Sequence, residues 1–268
     1  MERKISKRRM QQIRQRKRRR FIRRMIRLVC RCLCIGVLAV VVVFAVKVYR
    51  RIDTVDTVRM AEDGYPESLI ALLERNPETR EFVMNYPKNK DKSFEIDLSG
   101  EVTPGTIPLF LQWDTRWGYE TYGNDFLAVT GCGPTCLSMV RCGLSGSTDW
   151  NPLAVAHMAE GKGFYVDGAG SSWDLMTEGA AELGLTVDSV IYDAEHILNK
   201  LEQGIPIICI MGPGDFTTSG HFIVLTGVDE DGKVTICDPN SRDNSRKSWD
   251  VEELIPQIKN LWGYQYQM

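Results

Sequence analysis

Residues 129–143 read VTGCGPTCLSMVRCG, and the parsing of this stretch decides the fold. Gly131 and Gly133 flank Cys132, Pro134 suits a first helical turn, and Leu137, Met139 and Val140 form an apolar stripe until Gly143 can cap the end. The segment therefore reads as a helix that starts at or just after a cysteine. At a helix N-terminus the unpaired N–H groups and the positive end of the dipole favour thiolate over thiol, and the thiolate is the nucleophile. The two glycines leave room for a carbonyl to approach. Cys136 lies one turn further in, where the dipole effect fades, and is assigned to the core. Taken alone, Cys132 also fits a buried structural thiol.

A nucleophilic thiol needs a base. His221 opens the apolar run HFIVLTGV (221–228), which DEDG (229–232) separates from KVTICD (233–238), the pattern of a β-hairpin. If the turn holds an even number of residues, such as Glu230 and Asp231, Ile223 faces Asp238 and His221 lies two residues along on the same side. Directly and diagonally opposed residues on one face sit about 5–8 Å apart, so imidazole and carboxylate can meet. That geometry holds the imidazole in the tautomer that accepts a proton from Cys132. Read singly, His221 is a strand-edge histidine and Asp238, ahead of Pro239 and Asn240, a turn starter. Read with Cys132, they are a base and its orienter. His157 and His196 fall on amphipathic helical patterns and are set aside.

Gln112 stands among apolar and aromatic residues in IPLFLQWDTRW (107–117). Its amide is a candidate oxyanion donor beside the Cys132 backbone N–H; the alternative is a side chain that satisfies loop backbone. Trp113, Trp117 and Trp173 are candidates for a cleft wall or for the core. Periodicity predicts helices over 133–142, 151–160, 172–184, 194–203 and 250–259, and strands over 205–211, 221–228 and 233–238. Helices first and antiparallel strands later favour an α+β domain. Upstream, PESLIALLER (66–75) and PETREFVM (77–84) read as a small helical lead-in, and 87–105 as a charged linker.

With these residues in hand, Gln112, the glycine-flanked Cys132 with Pro134 and Thr135, Gly220-His221 and Asp238-Pro239-Asn240 resemble the peptidase family typified by double-glycine leader (bacteriocin-processing) peptidases. The resemblance is closer to their stand-alone, membrane-anchored relatives in Gram-positive bacteria. It covers residues 107–262, and 65–87 is similar to the helical lead-in of those relatives. It implies a papain-like α+β fold, with an N-terminal helical part carrying the cysteine and an antiparallel sheet carrying histidine and aspartate. Cys132 is then the nucleophile, His221 the base, Asp238 its orienter and Gln112 part of the oxyanion hole. The chain departs from the family pattern in the 20-residue step from Gln112 to Cys132, which is much shorter in the family.

The 268 residues divide sharply by charge: 1–51 hold 18 Lys/Arg and one acid, Glu2, whereas 52–268 hold 15 Lys/Arg and 34 Asp/Glu. Residues 32–46 (CLCIGVLAVVVVFAV) are free of charge and Val48 and Tyr49 extend the run, which predicts a single transmembrane helix over 32–49. The lysines and arginines before it place the N-terminus in the cytoplasm and the rest outside the cell. A cleaved signal peptide is the rival reading, weakened by the poor cleavage pattern around Ala45. The expected layout is a basic cytoplasmic tail (1–31), the spanning helix (32–49), a tether and helical lead-in (50–106) and the peptidase-like domain (107–268). No nucleic-acid partner is expected, since an apolar span follows the basic run.

Five cysteines fall in the body: Cys132, Cys136, Cys142, Cys209 and Cys237. Those other than Cys132 are expected to be mostly buried and free. There is no Cys-x-x-Cys, and His157, His196 and His221 are far apart in sequence, so no metal or other cofactor is expected. The function expected is an extracellular thiol hydrolase cutting an amide bond in a peptide or a cell-wall peptide stem. The alternatives are an acyltransferase or transpeptidase using the same residues, and a non-catalytic cell-surface binding domain.

Overall fold

A computed structural model describes residues 56–267, and within them one largely buried helix lies against an antiparallel sheet. The principal helices are α1 (Glu67–Arg75), α2 (Cys132–Ser145), α3 (Pro152–Gly161) and α4 (Ala194–Glu202). The strands of the main sheet are β1 (Leu185–Asp188), β2 (Ile207–Met211), β3 (His221–Val228), β4 (Val234–Cys237), β5 (Ser248–Trp249) and β6 (Ile258–Tyr266). Their order is β1-β6-β2-β3-β4-β5, and each neighbouring pair is antiparallel. The α+β class read from the sequence is the observed one.

Every residue of α2 from Gly133 to Cys142 is buried, as is Gly143. A helix buried along its length must be covered by its neighbours, and α3, β3 and β6 all pack on it; of its buried polar side chains, Ser138 donates to Trp150 O at 2.7 Å and Arg141 Nε to Leu183 O at 2.6 Å. The strands obey the two-residue period of a sheet covered on both faces. Ile208 and Ile210 of β2, with Phe222 and Val224 of β3, join the core that holds α2. Ile207, Cys209 and Met211, with Ile223 and Leu225, join a second core against α4. The expected cap at Gly143 sits three residues further on. Gly146, at φ 74°, takes the left-handed conformation that ends α2 and donates its N–H to Cys142 O at 2.8 Å. Gly143 instead lets the helix approach the chain at 106–107, where an added Cβ would come within 2.8 Å of Ile107 Cα and Thr106 O.

Two predicted helices differ from the structure. Over 172–184 a 3-10 turn (Trp173–Met176) and a short helix (Glu178–Glu182) are separated at Thr177 (φ -117°, ψ -73°). Over 250–259 the helix stops after Val251–Leu254, passes through the 3-10 turn Ile255–Gln257, and gives way to β6. Pro256 has no N–H with which to continue the helix, and the chain after it becomes a central strand between β1 and β2. Tyr264 of β6 is fully buried and its hydroxyl donates to Met176 O at 2.8 Å.

The lead-in belongs to the same compact unit, which spans Val58–Met268. Leu69, Leu72, Leu73, Phe82 and Val83 are buried, and Tyr119 stacks on Phe82 with ring centroids 4.2 Å apart.

The expected single transmembrane helix is corrected. Among the described residues no helix is long and apolar enough to cross a membrane. The longest, α2, has 14 residues, about 21 Å at 1.5 Å per residue against a hydrocarbon core of about 30 Å. Residues 1–31, read as a cytoplasmic tail, and 32–49, read as the span, lie outside the described residues, so the fold class stands as α+β without the spanning helix.

The close approach at Gly143 gives a test of packing. Gly143→Ala is expected to destabilise the chain by about 1–3 kcal/mol in urea unfolding. Gly161→Ala, where an added Cβ meets nothing within 4 Å, is expected to be neutral or stabilising by up to about 1 kcal/mol.

Candidate active site

Cys132 is the first residue of α2, so its N–H lies among the groups that have no acceptor within the helix. The glycines on either side are there for space. A Cβ on Gly131 would come within 2.5 Å of Leu127 O, and one on Gly133 within 2.6 Å of Ser171 Oγ. The thiol is half-buried beside the imidazole of His221, the first residue of β3, and the two line one cleft. The other side of that ring is fixed, because His221 Nε2 lies 2.7 Å from Asp238 Oδ1. The ring nitrogen left for Cys132 is thus Nδ1.

The hairpin delivers this pairing by an unexpected route. Asp229 N donates to Lys233 O at 2.8 Å, so the turn proper is the odd-numbered Glu230–Gly232, which alone would reverse the expected parity. A register shift between Leu225 and Gly227 restores it: Val228 pairs with Val234, but Val224 pairs with Cys237. One step further along that register Ile223 stands opposite Asp238, as the sequence reading required.

Asp238 is 1% exposed, and a buried carboxylate must be satisfied or it destabilises the fold. Its Oδ1 also accepts from Asn240 N at 2.8 Å, and its Oδ2 accepts from Asn244 Nδ2 at 2.8 Å. The loop after it is held by the lead-in and by the segment around Gln112. Asn76 Nδ2 donates to Asn240 O at 2.6 Å, Trp113 Nε1 to the same oxygen at 3.0 Å, and Gln112 N to Pro239 O at 2.8 Å. The Glu78 carboxylate accepts from Arg242 N at 2.9 Å and from the Ser241 hydroxyl. Sequence reading flagged the turn at Asp238 but not Asn76, Glu78 or Asn244, which carry no local pattern.

The charges follow from this geometry. Burial pushes the Cys132 thiol up, but the hydrogen bond and charge of His221, with the N–H groups of Phe222 and Gly133, hold it below the ordinary thiol range. Burial alone would lower the His221 imidazolium; the charge and hydrogen bond of Asp238, together with Cys132, raise it to about 10. Burial pushes the Asp238 carboxyl up, and His221, Asn244 and Asn240 bring it below its usual value. The favoured state is a thiolate beside an imidazolium. Cys136 shows the contrast: fully buried inside α2, it is pushed well above the ordinary thiol range, mainly by burial. Cys142 and Cys237 are likewise buried and raised to about 11 and about 12, and with Cys209 all four are unpaired among the described residues.

Gln112 is 3% exposed and near this group, yet its amide is spoken for. Nε2 donates to Ala128 O at 2.8 Å and Val129 O at 3.4 Å, while Oε1 is buried without a partner. Of the tryptophans, Trp117 is core, Trp113 holds Asn240, and Trp173 is 48% exposed on the wall of a cleft of about 580 Å³. Cys132 and His221 open into this cleft, with Phe222, Ile210 and the 168–171 loop around them. His157 and His196 are on α3 and α4 and line no part of it.

The family model of the Peptidase_C39 like family matches residues 105–267. No curated protein matches the chain. Among solved structures, the chain is similar to the peptidase domain of Streptococcus ComA, described as a bi-functional ABC transporter involved in a quorum sensing pathway. That likeness has 19% identity and a TM-score of 0.41, and covers 52% of this chain and 93% of that one.

The ion pair can be titrated directly. The ultraviolet thiolate signal that Cys132→Ser removes is expected to develop below the ordinary thiol range. Asp238→Asn takes away the chief support of the imidazolium, so the thiolate should form at higher pH and the imidazolium lose its proton at lower pH, narrowing the window between them. A thiolate titration unmoved by Asp238→Asn would contradict this reading.

Proposed function

This chain belongs to the Peptidase_C39 like family and is a cysteine peptidase, and from that premise we propose that it cuts a peptide bond through an acyl-enzyme on Cys132, with His221 as acid and base and Asp238 as the group that orients His221. The observation that carries the reading is the continuous contact from the Cys132 thiol at a helix N-terminus, through His221, to the buried Asp238.

The Cys132 thiolate attacks the substrate carbonyl carbon, and the C–O electrons move onto oxygen. The oxyanion faces the first turn of α2, where the Cys132 main-chain N–H has no helical acceptor. As the tetrahedral species collapses, the C–N bond breaks and the His221 imidazolium gives its proton to the departing amine. Neutral His221 then takes a proton from water, the hydroxide adds to the thioester, and the C–S bond breaks to release acid and thiolate. Asp238 keeps its charge throughout and holds the ring by Nε2, which leaves Nδ1 to shuttle the proton. Gln112 acts here as a positioning residue: its amide holds the Ala128 and Val129 carbonyls just ahead of the nucleophile.

Hydrolysis is favoured over transfer to an amine because Cys132 is half-buried and Ser219, Gly220 and Trp173 beside it are exposed, giving water access to the thioester. A purely binding role is disfavoured by the charge arrangement. A recognition surface gains nothing from a buried histidine raised to about 10 against a thiol.

Steady-state hydrolysis of a fluorogenic peptide tests the assignment. Cys132→Ala should abolish turnover, and His221→Ala should reduce kcat by roughly 10²–10⁴-fold. Turnover retained in Cys132→Ala, with Cys136→Ala inactive, would reassign the nucleophile.

A further inference from the structure

The cleft carries a charge opposite to that of the body around it. Residues 52–268 hold 34 Asp/Glu against 15 Lys/Arg, yet among the described residues no Asp or Glu lines the cleft that contains Cys132 and His221, while Arg75 and Lys259 do. The two cations come from different walls. Arg75 ends α1, which packs on the short helix Leu127–Thr130 just ahead of the nucleophile. Lys259 sits on β6, beside the β2 pairing of Ile258 with Met211.

Both side chains are held in place yet unneutralised. Arg75 Nε donates to Ala71 O at 3.1 Å, which leaves its terminal nitrogens uncommitted, and Lys259 Nζ donates to Ser219 O at 2.8 Å, two residues before His221. Neither meets a carboxylate among the described residues. Elsewhere Arg116 pairs with Glu101 and Asp114, Lys162 with Glu182, Lys200 with Asp188, Lys233 with Asp250 and Arg246 with Asp243. Lys88, Lys90 and Lys92 also meet no carboxylate among the described residues; what sets Arg75 and Lys259 apart is that they line the cleft, where a carboxylate from outside can reach them. Between them the cleft offers apolar surface from Trp173, Phe222 and Ile210.

Resting on the peptidase reading above, we propose that the substrate is an acidic peptide, with Asp or Glu side chains near the scissile bond received by Arg75 and Lys259. The acidity of the body does not oppose this at physiological salt. Charges further than about 8 Å from the peptide are screened, so the cations lining the cleft dominate. Both cations are exposed, and an exposed pair of this kind is worth about fivefold in affinity at most. The selectivity expected is therefore moderate and salt-dependent.

The test uses the full-length chain and end-capped peptides of Ala, Gly and Leu that differ only in carrying two Glu, two Gln or two Lys at the same positions. Wild type should show kcat/KM about fivefold higher for the Glu peptide than for the Gln peptide, with the Lys peptide poorest, and rising salt should shrink the order. Arg75→Gln and Lys259→Gln should each reduce the Glu preference, and the double variant should erase it. Calorimetric binding of the same peptides to Cys132→Ala reads the preference without turnover. Turnover with equal rates for Glu and Gln peptides, or a Glu preference intact in the double variant, overturns the acidic-substrate inference alone. A Glu preference in binding with no turnover by wild type overturns the hydrolase reading and leaves this one standing. Absence of both overturns both.

Discussion

The contact between His221 and Asp238 is the constraint around which the domain is arranged. A carboxylate that is 1% exposed costs several kcal/mol in desolvation unless its lone pairs are filled. His221, Asn240 and Asn244 fill them. Each donor in turn has to be brought to the end of β4 by something else. The hairpin brings His221, the turn at 239–240 brings Asn240, and the short helix Arg242–Ser245 brings Asn244. The lead-in then closes the arrangement through Asn76 and Glu78, so the segment ahead of the sheet and the strands at its far end meet at one carboxylate. Removing one partner of such a buried pair leaves an uncompensated charge and typically costs about 3–5 kcal/mol, which explains why so much of the chain converges there.

Chemistry follows from the same constraint. With Nε2 held by Asp238, His221 presents Nδ1 to a thiol that already sits at the start of α2, and the proton resides on the imidazole rather than on sulfur. The other cysteines of the body differ from Cys132 by position alone. Cys136 is one turn along the same helix, away from the free N–H groups, and burial makes it a poor acid. A single turn of helix separates a nucleophile from a core residue.

How far the sequence discloses this depends on whether a signal is local. Gly131, Gly133 and Pro134 mark the start of α2 because sterics and capping act over a few residues, and the apolar runs at 207–211 and 221–228 mark strands for the same reason. The His221–Asp238 pairing was legible through register parity, although the assumed even turn was wrong and the shift between Leu225 and Gly227 compensated for it. β6 was missed because its strand follows directly on helical periodicity, and only tertiary pairing with β1 and β2 gives it a partner on each side. Arg75, Asn76, Glu78 and Lys259 were missed because each acts across more than a hundred residues of chain or on a cleft that exists only after folding. Gln112 was legible as a polar residue in an apolar setting, but not where its amide would point. The spanning helix read over 32–49 has no counterpart among the described residues.

The central claim is that the thiol of Cys132 carries the acyl group. Acid-quenched turnover of a peptide thioester or ester, followed by intact-mass and peptide mapping, tests it at the bond itself. The account predicts a single acyl adduct on the peptide containing Cys132, lost in Cys132→Ala and longer-lived in His221→Ala. An adduct on Cys136 or Cys142, or turnover that builds no adduct even when His221 is replaced, would contradict it.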